Sequence, residues 1–97
     1  MPDFSIQLTR PAISDLEGMP ERLRGGILEG ISGLKEAPFP DGYARKKLKG
    51  FSFPVYRLRV GNHRILYRID QTIVTILRVI DRKELEKTIR RIRPFSA

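Results

Sequence analysis

Four arginines lie two or four positions apart on two strand-like segments of the chain, Arg57 and Arg59 on the first and Arg64 and Arg68 on the second. Residues 55–60 and 63–69 alternate in character, and the Gly61-Asn62 pair between them is typical of a two-residue hairpin loop. Counting outward from this loop pairs Arg59 with Arg64 and Leu58 with Ile65. One face of the predicted hairpin then carries Arg57, Arg59, Arg64 and Arg68. The other face carries Tyr56, Leu58, Ile65 and Tyr67, which suits a hydrophobic core.

The pairing of Arg59 with Arg64 indicates what the polar face does. Like charges directly opposite each other in an antiparallel pair destabilise the sheet by several tenths of a kcal/mol. A bound anion would remove that local cost. Two interpretations are open on these residues alone: the face binds an anion, or it is an ordinary solvated face whose long side chains spread into water.

Composition narrows the class of protein. The chain has 97 residues, which predicts one domain over residues 1–97 with a core that needs no metal or disulfide. It contains no cysteine, which excludes disulfides and cysteine-based zinc or redox chemistry. No apolar run approaches the length of a membrane span, and no hydrophobic signal region follows Met1. We therefore expect a soluble cytoplasmic protein without a membrane partner.

The formal net charge of +8 is unevenly distributed. Residues 1–42 hold four Lys/Arg against seven Asp/Glu, a net charge of −3, whereas residues 43–97 hold fifteen against four, a net charge of +11. This segregation favours a polyanion-binding face, and a basic protein with no anionic partner is the alternative. A basic run precedes the hairpin and either extends a phosphate track or only solubilises a loop. The run consists of Arg45, Lys46, Lys47 and Lys49.

The first part of the chain predicts a strand and two helices. Alternation over residues 4–8 indicates a strand. A short helix capped by Thr9 or Ser14 follows it. Pro20 opens a second helix with apolar residues at helical spacing, and residues 38–47 are predicted to form a loop.

The second part predicts the sheet and a final helix. After the hairpin, Asp70-Gln71 is the expected second turn, residues 72–80 form a central strand, and residues 83–92 form a helix. The element order predicts an α+β fold. In this fold an N-terminal strand and a helical hairpin pack on an antiparallel sheet, followed by a C-terminal helix.

The complete pattern resembles toxins of the RelE/ParE superfamily, the toxic halves of bacterial and archaeal type II toxin–antitoxin pairs. The resemblance covers nearly the whole chain and includes Arg10-Pro11-Ala12, Met19-Pro20 and the Lys47-Leu48-Lys49-Gly50 element. Its most specific block reads Tyr56-Arg57-Leu58-Arg59-Val60-Gly61-Asn62-His63-Arg64-Ile65-Leu66-Tyr67. That block is close to the family pattern Y-R-[LI]-R-x-G-[DN]-[YH]-R-[VI]-[LI]-Y, and it implies a RelE/ParE-like fold.

RelE-like members cut messenger RNA in the ribosomal A site, where a ribose 2′-hydroxyl attacks the adjacent phosphate without a metal or other cofactor. By position, the resemblance implies catalytic roles for Arg57, Arg59, Arg64 and Arg82. The neighbouring cations expected to bind RNA are Lys46, Lys47, Lys49 and Arg68. Guanidinium groups suit this chemistry because each can bind two phosphate oxygens and stabilise a phosphorane-like transition state. Arginine stays protonated, so the nucleophile needs another proton acceptor.

The chain departs from the family after the last strand. Many RelE-like toxins continue with His-Arg-x-x-[VI]-Tyr, whose tyrosine is implicated in catalysis, but here Asp81 and Glu86 stand at the His and Tyr positions. Glu86 is a candidate base, with an i,i+4 ion pair to Arg90 as the alternative. Asp81 either caps the last helix or pairs with Arg82. His63 is the only histidine and a candidate acid or base, with packing beside the turn as the alternative.

Two other functions follow from the same resemblance. ParE-like members lack the nuclease residues and poison DNA gyrase by binding it, and a catalytically weak RNA-binding member of the fold is the third alternative. Toxins of this family are neutralised by an antitoxin, usually a small protein with an acidic, partly disordered segment that orders on the toxin. The expected partners are a cognate antitoxin together with the ribosome and messenger RNA, or with gyrase.

Overall fold

A mixed β-sheet positions the arginines. The computed structural model describes residues 3–96 and, within them, the side chains of residues 3–92. Its strands are β1 (Ser5–Leu8), β2 (Arg45–Lys47), β3 (Tyr56–Val60), β4 (His63–Asp70) and β5 (Ile73–Asp81). Its helices are α1 (Arg10–Glu17), α2 (Glu21–Gly33) and α3 (Leu85–Ser96), and a 3-10 helix over Arg82–Glu84 precedes α3. None of the helices in the described residues has the length and apolarity needed to span a membrane.

The predicted α+β fold and its antiparallel strands are confirmed, and β1 extends the sheet. The strand order is β1-β5-β4-β3-β2. Strands β2 to β5 pair antiparallel, whereas β1 runs parallel to β5, with Ser5 opposite Ile73 and Leu8 opposite Ile76. A parallel pair needs a long crossover, and here α1, α2 and the β2–β4 segment together supply it.

Three local predictions are wrong. Residues 38–47 are not all loop, because Arg45–Lys47 pairs with β3 as an edge strand. The turn after β4 consists of Gln71-Thr72 rather than Asp70-Gln71, and Gln71 adopts a left-handed φ of 56°. The final helix begins with a 3-10 turn and continues to Ser96 rather than ending at residue 92. The last two errors concern element boundaries, where local sequence signals are weakest, whereas β2 is a whole strand that depends on its pairing with β3.

The β3–β4 hairpin has the predicted register. Leu58 lies opposite Ile65, and Arg59 lies opposite Arg64. Gly61 has a φ of +56°, as the first loop position of a type II′ turn requires. Because side chains alternate between the two sides of a strand, this register places the arginines of both strands on one face.

Helices α1 and α2 cover the opposite face and form the main core with it. The buried residues of this core are Ala12, Leu16, Met19, Ile27, Ile31, Leu34, Leu58, Ile65, Tyr67, Val74, Ile76 and Val79. Gly30 permits the close approach of α2 to the sheet, because a Cβ there would lie 2.7 Å from Cγ2 of Val60. The buried Tyr67 hydroxyl donates to the Pro38 carbonyl at 2.7 Å, and burial raises the pKa of Tyr67 to about 12.

Helix α1 also protects the sheet edge beyond the end of β1. Thr9 is the N-cap that the sequence allowed, since its Oγ1 accepts from the Ala12 N–H at 3.2 Å. One oxygen of Asp15 accepts from the backbone N–H of Val79 at 2.9 Å and from Nε of Arg78 at 2.7 Å. The other accepts from Nη2 of Arg78 at 3.0 Å. The carboxylate thus replaces a missing strand partner and ties α1 to β5.

Candidate nucleic-acid interface

Four arginines gather beside the β3–β4 turn, and we refer to Arg57, Arg59, Arg64 and Arg82 as the arginine cluster. The first three share the sheet face opposite the helical hairpin. Arg82 follows β5 directly, and its backbone N–H donates to the carbonyl of Asn62 in the turn at 2.9 Å. Burial lowers the pKa of Arg64, and the charges of the other three arginines lower it further. Each of the other three arginines is therefore close enough to Arg64 for its charge to act on it.

Arg64 is the fixed centre of the arginine cluster. Its side chain is largely buried, with only 8% of the residue exposed. Nη1 donates to the carbonyl of His63 at 2.9 Å and to that of Gly61 at 3.2 Å. These bonds hold the guanidinium against the turn. Since arginine keeps its proton in proteins, the site contains a permanent, immobilised positive charge.

No arginine of the cluster forms an ion pair with a carboxylate among the residues whose side chains are described, and the charge of Asp81 only partly offsets the repulsion at Arg64. The ion pairs found among residues 3–92 are Arg45–Asp41, Arg78–Asp15, Lys87–Glu84 and Arg90–Glu86. Nη1 of Arg57 is buried and has no hydrogen-bond partner. The resulting excess of positive charge and of hydrogen-bond donors matches a phosphate, which accepts several charge-assisted hydrogen bonds at once.

The charge of Asp81 acts on Arg64, but Asp81 forms no ion pair with the arginine cluster, and its hydrogen bonds position the neighbouring elements. Its Oδ1 accepts from the backbone N–H of Lys83 at 2.9 Å, so Asp81 caps the 3-10 helix. Its Oδ2 accepts from Nδ2 of Asn62 at 3.1 Å. The predicted capping role is confirmed, and both oxygens help to hold the start of the 3-10 helix, and with it Arg82, at the hairpin turn.

The four predicted RNA-binding cations are not equally placed. Lys46 lies opposite a cluster residue in the β2–β3 ladder and shares the face of the arginine cluster. Lys47 points to the other side of this edge strand by alternation, and Lys49 lies in the loop after β2. Arg68 shares the arginine face, but its Cζ lies over the ring of Phe53, 4.2 Å from the centroid. Lys46 is thus the one of these four that the register brings beside the cluster.

Neither predicted acid–base side chain interacts with the arginine cluster. His63 lies opposite Val60, which alternation places on the helix-packed face, and it lines a cleft beside α2. Glu86 is 88% exposed and pairs with Arg90 at 3.9 Å. Among the described side chains, neither forms a hydrogen bond or an ion pair with a cluster arginine. No group of three or more His, Asp or Glu residues in the described part of the chain could hold a metal ion.

Two residues beside the cluster were not found by sequence reasoning. The ring of Tyr43 lies under Cζ of Arg59, with 4.9 Å between Cζ and the ring centroid. Asp41 organises the backbone of this segment by accepting hydrogen bonds from two of its N–H groups. A signal was present, because an Asp-Gly turn is followed here by an aromatic residue and then by a basic run.

Comparison with known proteins establishes the family. Residues 6–86 match the family model of the ParE toxin of the type II toxin–antitoxin system parDE. The chain belongs to the RelE/ParE superfamily of toxins. It is 34% identical over 84 residues to putative toxin RelE1 of Methanocaldococcus jannaschii, covering 84% of this chain and 91% of that relative. The predicted family is therefore confirmed, and the protein is a toxin of a type II toxin–antitoxin system.

Solved structures of this superfamily share the fold. The toxin–antitoxin complex RelBE2 of Mycobacterium tuberculosis matches with a TM-score of 0.68 and 30% identity, over 81% of this chain and 98% of that chain. The chromosomal ParDE system of P. aeruginosa matches with a TM-score of 0.63 and 22% identity, over 80% and 95%, which shows the fold alone. Proteins named for RelE and for ParE both match, so the target must be inferred from the site.

Proposed function

We propose that this toxin is a ribosome-dependent messenger RNA endonuclease whose arginine cluster binds the scissile phosphate. The observation that carries the proposal is the gathering of Arg57, Arg59 and Arg82 around the buried Arg64, without an ion pair to a carboxylate among the described side chains. An uncompensated cluster of this kind costs stability, and an anionic ligand offsets that cost.

The proposed reaction is attack of a ribose 2′-hydroxyl on the adjacent phosphorus. The new bond joins O2′ to phosphorus, the bond from phosphorus to O5′ breaks, and the products carry a 2′,3′-cyclic phosphate and a 5′-hydroxyl. Negative charge increases on the phosphoryl oxygens in the transition state, where fixed guanidinium donors stabilise it most. The immobilised Arg64 and the partly buried Arg57 are suited to this role, and Arg59, Arg82 and Lys46 bind the surrounding backbone.

The proton of the 2′-hydroxyl must leave by another route. Arginine cannot accept it, and the side chains of His63 and Glu86 form no hydrogen bond or ion pair with the arginine cluster among the described residues. We assign both the acceptor of this proton and the donor of the proton that the leaving O5′ takes up to the ribosome-bound substrate complex and its solvent rather than to this chain. That assignment explains why the ribosome is required in the proposed function.

The partner that neutralises the toxin is a cognate antitoxin in this proposal. The similar structure from M. tuberculosis is itself a toxin–antitoxin complex. Residues 43–97 carry a net charge of +11 and include the arginine cluster, and an acidic segment that folds over this cluster would supply the missing counterions.

Inhibition of DNA gyrase by binding is the second candidate function. Two observations favour it: the match to the ParE toxin family, and the presence of Asp81 and Glu86 at the His and Tyr positions of RelE-like nucleases. In that case the arginine cluster would serve as a binding surface only. A catalytically weak RNA-binding protein is the remaining alternative.

Controlled expression followed by mapping of transcript ends tests the proposal. We expect growth arrest together with new 5′-hydroxyl ends in translated messages, and cleavage by the purified toxin only when the message is bound to ribosomes. Growth arrest with intact transcripts, induction of the SOS response and accumulated gyrase–DNA cleavage complexes would instead establish the gyrase function. Binding to ribosomes without cleavage would identify the weak RNA-binding protein.

A further inference from the structure

An exposed aromatic ring stands at the rim of the arginine cluster. Tyr43 is 71% exposed, whereas Tyr67, in the core, is completely buried. One contact of the Tyr43 ring is with Arg59, whose Cζ lies 4.9 Å from the ring centroid. Because Tyr43 adds little to the hydrophobic core, its position beside an uncompensated cationic site calls for another explanation.

The backbone that carries this ring is firmly held. Oδ1 of Asp41 accepts from the N–H of Tyr43 and from that of Arg45, each at 2.9 Å, and Oδ2 accepts from Nη1 of Arg45 at 3.0 Å. The two backbone hydrogen bonds lower the pKa of Asp41 to about 2, so the carboxylate stays charged. Gly42 supplies the left-handed φ of 77° that the turn needs. The ring is therefore exposed on a preorganised segment, which lowers the entropic cost of binding to it.

We propose that Tyr43 is a stacking platform for a nucleobase of single-stranded RNA whose phosphate is bound by the arginine cluster. This inference rests on the proposed RNA-binding function and names how the same site holds the base. Sites for single-stranded nucleic acid combine cationic groups for the backbone with aromatic rings on which bases stack. The adjacent Arg59 guanidinium and Tyr43 ring present both kinds of group side by side, and Lys46 adds charge on the same face.

Single-stranded RNA fits this arrangement better than an acidic peptide does. A peptide carboxylate would use the guanidinium groups and would have no general need for a large aromatic surface beside them. Every nucleobase has a π-face, so a ring next to a phosphate site recognises any unpaired nucleotide. A base inside a duplex is already stacked on both sides, which makes the ring selective for unpaired RNA.

The inference is tested by measuring the binding of two RNA-like probes, one with nucleobases and one without them. The probes are a fluorescent 2′-O-methyl adenylate hexamer, which lacks the attacking hydroxyl, and a hexamer with the same sugar–phosphate backbone but no bases. Binding is measured by fluorescence anisotropy at low salt, because low salt strengthens the phosphate contacts enough for the dissociation constants of both hexamers to be determined. We expect Tyr43→Ala to weaken binding of the base-bearing hexamer about tenfold, and Tyr43→Phe to retain it, since stacking needs the ring alone.

Matched controls distinguish the loss of base stacking from misfolding and from a loss of the phosphate contacts. Phe39 is another exposed aromatic residue of the same connecting segment, 58% exposed, but it packs edge-on against Phe4 beside β1, at the opposite edge of the sheet from β2. Phe39→Ala should leave RNA binding unchanged, and circular dichroism should show that all variants fold. The base-free hexamer should bind the wild type and Tyr43→Ala equally.

Four outcomes would overturn the inference. An equal loss on both hexamers would show that the ring acts through the phosphate site, and a loss in Tyr43→Phe as large as in Tyr43→Ala would assign the role to the hydroxyl. Unchanged RNA binding with reduced antitoxin affinity would make Tyr43 a protein contact. Absence of any binding to the wild type would reject the RNA interface and the platform together. Base-dependent binding without ribosomal cleavage would reject only the proposed nuclease function.

Discussion

Arg64 and Arg78 lie on the same face of the same sheet, in neighbouring strands, but their electrostatic surroundings are opposite. Arg78 forms a two-pronged ion pair with Asp15, and those hydrogen bonds raise its pKa. Arg64 is held by two carbonyls and is surrounded by three other arginines, and burial and these charges lower its pKa. The comparison indicates that an arginine paired with a carboxylate of the protein has a structural role, whereas a buried arginine without such a pair is available for an external ligand.

Other arginines of the chain follow the same division. Arg45 pairs with Asp41 at 3.0 Å, and Arg68 lies over the ring of Phe53. Both have a partner supplied by the fold. The arginine cluster forms no ion pair with a carboxylate among the described side chains, and the contact of Arg59 with the uncharged Tyr43 ring leaves its positive charge uncompensated, which is why we assign it to an external phosphate. Each of the following experiments asks whether the two classes of arginine respond differently.

The largest expected effect is on catalysis. Arg64→Ala should lower the rate of ribosomal cleavage by roughly 10²–10³-fold, the usual loss when one fixed transition-state donor is removed. The measurement is single-turnover cleavage of a ribosome-bound message, with folding checked by circular dichroism. Lys35→Ala removes an exposed charge from the chain segment after α2 and should retain the wild-type rate. Equal effects of the two substitutions would remove the arginine cluster from the mechanism.

The second largest expected effect is a loss of folding stability when an arginine with an ion-pair partner is replaced. Arg78→Met should lower the free energy of unfolding by about 2 kcal/mol, because it leaves the mostly buried Asp15 carboxylate without its partner. Urea unfolding measures the change. Arg90→Met is the matched control, since its ion pair with Glu86 is exposed and is expected to contribute less than about 0.5 kcal/mol. Indistinguishable stabilities would show that the Asp15 contact is not structural.

Replacing an arginine of the arginine cluster by Met should raise the free energy of unfolding rather than lower it. Arg57→Met removes a buried, unpartnered Nη1 and one of several neighbouring like charges, so we expect a gain of about 1 kcal/mol in unfolding free energy. Ribosomal cleavage by this variant should fall, as expected when a functional site is held at a cost to stability. A loss of stability similar to that of Arg78→Met would mean that Arg57 has a structural role.

The smallest effect concerns the Asp41–Arg45 pair. The pKa of Asp41 is lowered from 3.8 to about 2, so its contribution to stability is present at pH values above about 4. That contribution is lost as the pH falls through about 2, because the unfolded chain takes up the proton first. Asp41→Asn should flatten the pH dependence of Tm in this range. An unchanged acid profile would contradict the role of these hydrogen bonds.

The parts of the fold that depend on residues close together in the sequence could be predicted from the sequence. The Gly61-Asn62 turn and the alternation on either side of it determine the β3–β4 register, and this register places three of the four cluster residues on one face. Arg82 was assigned through the family resemblance alone, because the path of the chain after β5 depends on the packing of the whole sheet.

Contacts between distant segments could not be predicted. Asp15 and Arg78 are separated by 63 positions, and no local pattern indicates that a helix carboxylate caps the edge of β5. The parallel pairing of β1 and the short strand β2 are similar cases, because each depends on a partner strand that forms elsewhere. The contact of Tyr43 with Arg59 follows from the β2–β3 pairing and was missed for the same reason.

Side-chain NMR of arginine tests the central claim most directly. The Nε–Hε resonances of a sample labelled at arginine can be followed during titration with the uncleavable 2′-O-methyl hexamer. We expect the resonances of Arg57, Arg59, Arg64 and Arg82 to shift together with one dissociation constant, while that of Arg78 stays in place. Shifts of Arg78 as large as those of the cluster, or no shift in the cluster at saturating RNA, would contradict the account.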